Sequence, residues 1–277
     1  MRGVNKGLKE GLKEVRGVKK KDVKMSMKKI LIPIPSLGCD PSEVAIPWKI
    51  LEMNDYEVVF ATPNGKKATT DQIMLKGDGL GLLRSALMAR QDAVDAFHKM
   101  EKSSAFCNPL NYSDLQETEF DAIFLPGGHD KSVKEYLESE ILQKLIVGFF
   151  KNKKPVGAIC HGVVLAARSI DSETGKSVLY NYKTTALLKS QELLAYNLTR
   201  AWLKDYYLTY PGLTVEDEVK SFLSDADNFL KGPTPIRRDS TEHLGRGFVV
   251  KDRNYVSARW PGDVYSISVE FINLLKK

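Results

Sequence analysis

One nine-residue stretch, Lys154-Pro155-Val156-Gly157-Ala158-Ile159-Cys160-His161-Gly162, sets the tightest limit on how this chain can fold. Val156 to Ile159 read as a short buried strand entered through Pro155, and Val163-Val164-Leu165-Ala166-Ala167 reads as the apolar opening of a helix. Cys160 and Gly162 therefore fall at a sharp strand-to-helix turn, which presents its central side chain and needs a small residue after it to relieve crowding. A thiol at that point faces the unpaired N–H groups and positive dipole end of the helix, which favour thiolate. Cys160 is accordingly expected to have the lowest thiol pKa of the three cysteines, with His161 beside it as a potential base. The alternative reading is a buried structural cysteine at a strand end.

Phe120-Asp121-Ala122-Ile123-Phe124-Leu125-Pro126-Gly127-Gly128-His129-Asp130 reads as a second buried strand ending in a Gly-Gly turn. Gly127 and Gly128 let backbone N–H groups approach a bound group, as an oxyanion hole requires, although Pro-Gly-Gly is often only a turn. The loop lies about one βαβ unit before Cys160, and open α/β sheets set their sites at the carboxyl ends of strands. Upstream, Lys29 to Pro35 reads as a first strand. Glu43 then opens a helix carrying Val44 to Leu51 at helical spacing, where its carboxyl could be a simple dipole partner. Strand, helix, strand (Tyr56 to Ala61), a long insertion, the Pro-Gly-Gly strand, a helix (Lys131 to Asn152) and the Cys160 turn follow in order. Such alternation predicts a parallel sheet with helices on both faces.

Glu43-x-x-x-Pro47, Leu125 to His129, Ala158 to Gly162 and Ser257-Ala258-Arg259-Trp260-Pro261-Gly262 together resemble the ThiJ/PfpI superfamily, in that family's order and over about residues 28–277. The resemblance implies an α/β fold: a flavodoxin-like three-layer sandwich, glutamine amidotransferase-like, with a mostly parallel central sheet and helical insertions. It implies that Cys160 is the nucleophile, that Glu43 hydrogen-bonds and tunes it, and that the N–H groups of Gly128 and His161 form an oxyanion hole. His161 would be the base, as in the branch that includes heat-shock glyoxalases and holding chaperones. Gly127, Gly128, His129, Arg259 and Trp260 would border the pocket, the last two on a loop closing over it.

The chain departs from that pattern in two places. Glu242-His243-Leu244 does not match the late His-x-Glu pair of a glutaminase, so glutamine hydrolysis is not expected. Thr184-Thr185 is followed by Ala186 where the small-protein branch has histidine, which leaves the third triad member open. Glu192, in the helix-like Leu188 to Leu194, is a candidate for it, set against a role on a solvated helix face.

The net charge of +6 suggests nucleic acid until it is located. Residues 1–25 hold nine basic and three acidic side chains, whereas the remainder holds 32 of each, so no nucleic-acid partner is expected. Residues 1–27 read as a basic, disordered extension rather than a signal or transit peptide. Residues 28–277 then form one large domain, with insertions at about 63–119 and 187–229. The first contains Gly77-Asp78-Gly79-Leu80-Gly81, a turn before a helix around Leu82 to Met100 rather than a phosphate loop. The second is rich in aromatics, including Tyr206, Tyr207 and Tyr210, and reads as a helical cap beside the pocket. No apolar run approaches the length of a membrane span, and three cysteines do not make a disulfide framework. A cytoplasmic homodimer is expected.

The function expected is cysteine-dependent chemistry on a small carbonyl compound, glyoxalase III- or deglycase-like, with no cofactor and no metal. Amide or peptide hydrolysis through a thioester is the enzymatic alternative. A redox-responsive holding chaperone is the alternative from another class.

Overall fold

The computed structural model of the protein describes residues 27–277, so the expected basic extension up to residue 26 lies outside the described residues. Seven strands form the central sheet: β1 (Lys29–Pro33), β2 (Glu57–Thr62), β3 (Leu110–Asn111), β4 (Ala122–Leu125), β5 (Val156–Ile159), β6 (Val249–Asp252) and β7 (Tyr255–Ala258). Their spatial order is β6-β7-β5-β4-β1-β2-β3, with every neighbouring pair parallel except β6 and β7. Ile30 to Ile32, Ala122 to Leu125 and Val156 to Ile159 are buried without interruption, as parallel strands covered on both faces must be.

Two groups of helices cover the sheet. α1 (Pro41–Glu52) packs against α2 (Gln91–Met100) and α7 (Val264–Leu275), while α3 (Glu140–Lys151) packs against α4 (Gly162–Arg168), which also meets α6 (Val215–Ser221). The second insertion supplies α5 (Lys189–Leu203) and α6, which contact each other. This is the flavodoxin-like α/β arrangement.

Two expected helices are broken, each at an extended residue. The segment Lys131 to Asn152 divides because Ser139 is extended and its side chain accepts from the Leu142 N–H, starting a new helix at Glu140. Leu82 to Met100 divides because Arg90 is extended between a short helix, Arg84–Leu87, and α2. Gly77 adopts a left-handed conformation (φ +72°) and closes the helix Gln72–Lys76, so the glycine-rich segment is a turn.

The chain leaves β1 toward β2 on one side, whereas β4 and β5 lie on the other, which opens a crevice at the carboxyl ends of β1 and β4. The loops after those strands meet there: the Asp40 N–H donates to the Gly127 carbonyl at 3.0 Å. Asp40 also starts α1, accepting from the Ser42 and Glu43 N–H groups, with Pro41 at the first helical position.

Candidate active site

Cys160 follows β5 with φ +56°, a left-handed backbone that costs a non-glycine residue about 1–2 kcal/mol. The strain turns the chain from β5 into α4 within two residues. Gly162 makes the turn possible, because a Cβ there would lie 2.1 Å from the Leu125 carbonyl oxygen. The strand-turn-helix geometry expected around Cys160 is thus present.

Glu43 is fully buried in the first turn of α1. Its Oε2 accepts the Gly127 N–H at 2.9 Å, which commits that N–H to the carboxyl group. Gly127 is the meeting point of three elements. A Cβ there would lie 2.7 Å from the His161 nitrogen, 2.9 Å from Glu43 Oε2 and 3.1 Å from Cys160 Cβ. Glu43 Oε1 is buried with no hydrogen-bond partner among the described residues. Burial, and then Asp40, push the Glu43 carboxyl well above its usual range, which favours its protonated form. Among the described residues the Gly128 N–H has no hydrogen-bond partner.

The His161 ring bridges two groups: Nδ1 is 3.4 Å from Cys160 Sγ, and Nε2 is 3.0 Å from Thr209 Oγ1. Thr209 has one hydroxyl proton and donates it to the His129 carbonyl at 3.0 Å. Both contacts are satisfied together when the Thr209 oxygen accepts from a proton on His161 Nε2, the tautomer that leaves the Nδ1 lone pair facing the thiol. Burial, reinforced by His129 and Arg168, holds His161 well below its usual pKa, so it is an unprotonated base at neutral pH.

The thiol itself departs from expectation. Cys160 is 0% exposed, and burial, then Glu43 and Asp40, push its pKa well up, against a smaller lowering by the His161 N–H. The helix-end stabilisation expected from the sequence is outweighed by desolvation. Cys39 is equally buried and is pushed up to about 12, and its sulfur contacts Thr70 Oγ1 at 3.7 Å.

A cavity of about 180 Å³ opens beside this cluster, bordered by His129, Glu192, Tyr207, Arg238 and Trp260 among others. Cys160 does not line it. His129 stands between, its ring 5.5 Å from His161 on one side and 5.1 Å from Tyr207 on the other. Burial pulls His129 down to about 4 and keeps it neutral. Glu192 is 2% exposed, accepts the Val215 N–H at 2.9 Å through Oε2, and is pushed up to about 7 by burial. It lies on neither a solvated face nor the ring of His161. Arg259 is also displaced from its expected place. Its guanidinium is buried against Asp263 (2.8 and 2.9 Å) and donates to the carbonyls of Lys231 and Pro233, away from the cavity.

A family model described as ThiJ/PfpI family-like matches residues 34–233. The chain belongs to the ThiJ/PfpI-like family. An uncharacterised Schizosaccharomyces pombe protein is 26% identical over 182 residues, 62% of this chain and 67% of the relative. A protein named as a deglycase in Thermococcus kodakarensis is 25% identical over 169 residues, 60% of this chain and 69% of the relative. The crystal structure of glyoxalase III from Candida albicans has the same fold, with a TM-score of 0.64 at 18% identity, covering 90% of this chain and 97% of that one.

Within this ThiJ/PfpI-like framework, the residue that sequence reasoning missed is Thr209. It lies within the second insertion, read from its aromatics as a helical cap, and no spacing rule connects it to His161. Tyr207 and Arg238 border the cavity for the same long-range reason. Among the described residues, no helix is long and apolar enough to cross a membrane, and no group of three or more His, Cys, Asp or Glu side chains is placed to hold a metal ion.

Proposed function

We propose that this protein is a cofactor-independent glyoxalase III- or deglycase-like enzyme acting on small carbonyl compounds. The observation that carries the reading is the His161 ring itself, with Nδ1 3.4 Å from Cys160 Sγ and Nε2 3.0 Å from Thr209 Oγ1. His161 takes the thiol proton as the sulfur adds to the aldehyde carbon of a 2-oxoaldehyde, giving a hemithioacetal. Removal of the proton from that carbon and its return to the neighbouring one, through an enediol, leaves the thioester of a 2-hydroxy acid. Water then cleaves the thioester, releasing the acid and restoring the thiol. The redox change is internal to the substrate, so the sequence balances with water alone. In this scheme the Gly128 and His161 N–H groups stabilise the oxyanion, and protonated Glu43 supplies or returns a proton beside the sulfur. The relatives named for deglycase and glyoxalase III activity support the reading, and a cavity of this size suits a small molecule better than a polypeptide.

One observation favours the chaperone reading as second choice. Leu194, Leu198 and Trp202 recur at four-residue spacing on α5 and are 60%, 48% and 49% exposed. The enzyme is further proposed to work in the cytoplasm, as a homodimer.

The test compares lactate formation from methylglyoxal by wild-type protein and Cys160→Ser. Wild-type turnover that falls by about a hundredfold or more in the variant is the expected result. Absence of wild-type turnover, with client holding intact in both proteins, would hand the assignment to the chaperone reading.

A further inference from the structure

Residues around the cavity bury polar atoms for which the protein provides no partner. Ser42 Oγ, His129 Nδ1, Gln191 Oε1, Tyr207 Oη and Trp260 Nε1 are all without a hydrogen bond among the described residues, and all five residues line the same cavity. A buried polar atom left unmade costs about 1–3 kcal/mol, so such a concentration at one cavity points to a ligand that completes it.

Arg238 gives that ligand its charge. Among the described residues it is the one Lys or Arg side chain lining the cavity, and burial pulls its guanidinium pKa down. Nη2 donates to the carbonyls of Ala86 (3.0 Å) and Leu87 (3.3 Å), while Nε and Nη1 have no hydrogen bond and no carboxylate pairs with it among the described residues. Asp40 attracts it through space, but Asp40 Oδ1 is occupied by the Ser42 and Glu43 N–H groups, and burial raises the Asp40 pKa. Glu192, the other acid on the wall, is pushed up to about 7 and is partly protonated at neutral pH. The indole of Trp260, whose nitrogen only donates, lies 5.6 Å from the Arg238 guanidinium. A partly buried cation beside the Trp260 indole, with Tyr207 lining the same cavity, matches a carboxylate, which takes two donors side by side from an arginine.

We propose that the preferred substrate is a 2-oxoaldehyde bearing a carboxylate, held at that end by Arg238, Trp260 and Tyr207 with its aldehyde toward His129 and Cys160. This rests on the enzymatic reading above, and the chemical steps are unchanged.

The probes are 4,5-dioxopentanoate and its uncharged isostere 5-methyl-2-oxohexanal, compared by kcat/KM in wild type, Arg238→Gln, Arg238→Lys and Trp260→Phe. The carboxylate should be favoured about tenfold or more by the wild type. That ratio should collapse in Arg238→Gln, survive in part in Arg238→Lys, and fall several-fold in Trp260→Phe, which keeps the ring and also serves if Arg238→Gln does not fold. A wild-type ratio near or below one, or one indifferent to Arg238, overturns the proposal. Should neither aldehyde turn over, the enzymatic reading fails separately, and calorimetry with the unreactive 4-oxopentanoate decides the site. Binding lost in Arg238→Gln upholds a carboxylate site, and no binding to wild type overturns it.

Discussion

Thr209 and His161 are 48 residues apart in the chain, yet the hydroxyl oxygen of one sits 3.0 Å from Nε2 of the other. Because the same hydroxyl spends its proton on the His129 carbonyl, it works as a pure acceptor toward the ring. The helical insertion thereby touches the far side of an imidazole that sits on the central framework, in the geometry that suits a proton on Nε2.

Thr209→Val keeps the volume and removes the acceptor. Its kcat on a 2-oxoaldehyde should fall roughly tenfold to a hundredfold with a smaller change in KM, because the Nδ1 lone pair is no longer enforced. Thr209→Ser should restore most of the rate. Equal losses in both variants would mean that the contact only packs the insertion down.

Native alkylation should begin at Cys107. It is exposed, whereas Cys39 and Cys160 are buried and their thiols are pushed up. Peptide mapping after brief iodoacetamide treatment at neutral pH should find Cys107 modified first, and Cys107→Ser should lose the fast phase. Fast labelling of Cys160 would show that the elbow is open in solution.

Glu192 makes stability depend on pH in the less usual sense for a carboxyl. Its folded pKa of about 7 lies above the unfolded value near 4.5, so the folded protein holds the extra proton between those values. Stability contributed by this group is full below about pH 4.5 and is lost as pH rises toward and past 7. Glu192→Gln, which stays neutral, should therefore recover roughly 2–4 kcal/mol relative to wild type at pH 8 and little at pH 4.5. Denaturant melts of both proteins at the two pH values would measure it, and a pH-independent difference would contradict it.

Arg259 should act on stability rather than on substrate choice. Arg259→Ala leaves Asp263 buried and unpaired, at a cost of about 3–5 kcal/mol, and frees the Lys231 and Pro233 carbonyls. The thermal midpoint should fall by many degrees while the ratio of kcat/KM between two aldehydes stays the same. A changed ratio in a protein of normal stability would return Arg259 to the pocket.

What could be read in the sequence was what is local. The apolar run Val156 to Ile159, the small Gly162 and the apolar start of α4 specify the Cys160 turn within a dozen residues, and the structure has that turn with its left-handed φ. The Glu43–Gly127 contact spans 84 residues and no spacing announces it; the family resemblance sets the Glu43 carboxyl on the Cys160 thiol and says nothing of Gly127. Thr209 had neither route, since a threonine in an irregular segment carries no periodic signal. Burial of Cys160 escaped for a different reason. Helix-end electrostatics follow from sequence position, but desolvation depends on what lies over the sulfur, and that is supplied by residues far away in the chain. Arg259 and Glu192 illustrate the same limit, because whether a charged side chain turns to the cavity, the core or the solvent is decided by partners such as Asp263 and the Val215 N–H.

The wall that His129 makes between cavity and sulfur turns into a statement about timing. A carbonyl compound in the cavity cannot touch a fully covered thiol, so in the proposed reaction each turnover must wait for the side chains between them, His129 foremost, to move. A step limited by such side-chain passage responds to the friction of the medium and ignores the mass of the hydrogen being moved. Added sucrose should therefore slow kcat in proportion to viscosity, while deuterium at the aldehyde carbon should leave it nearly untouched.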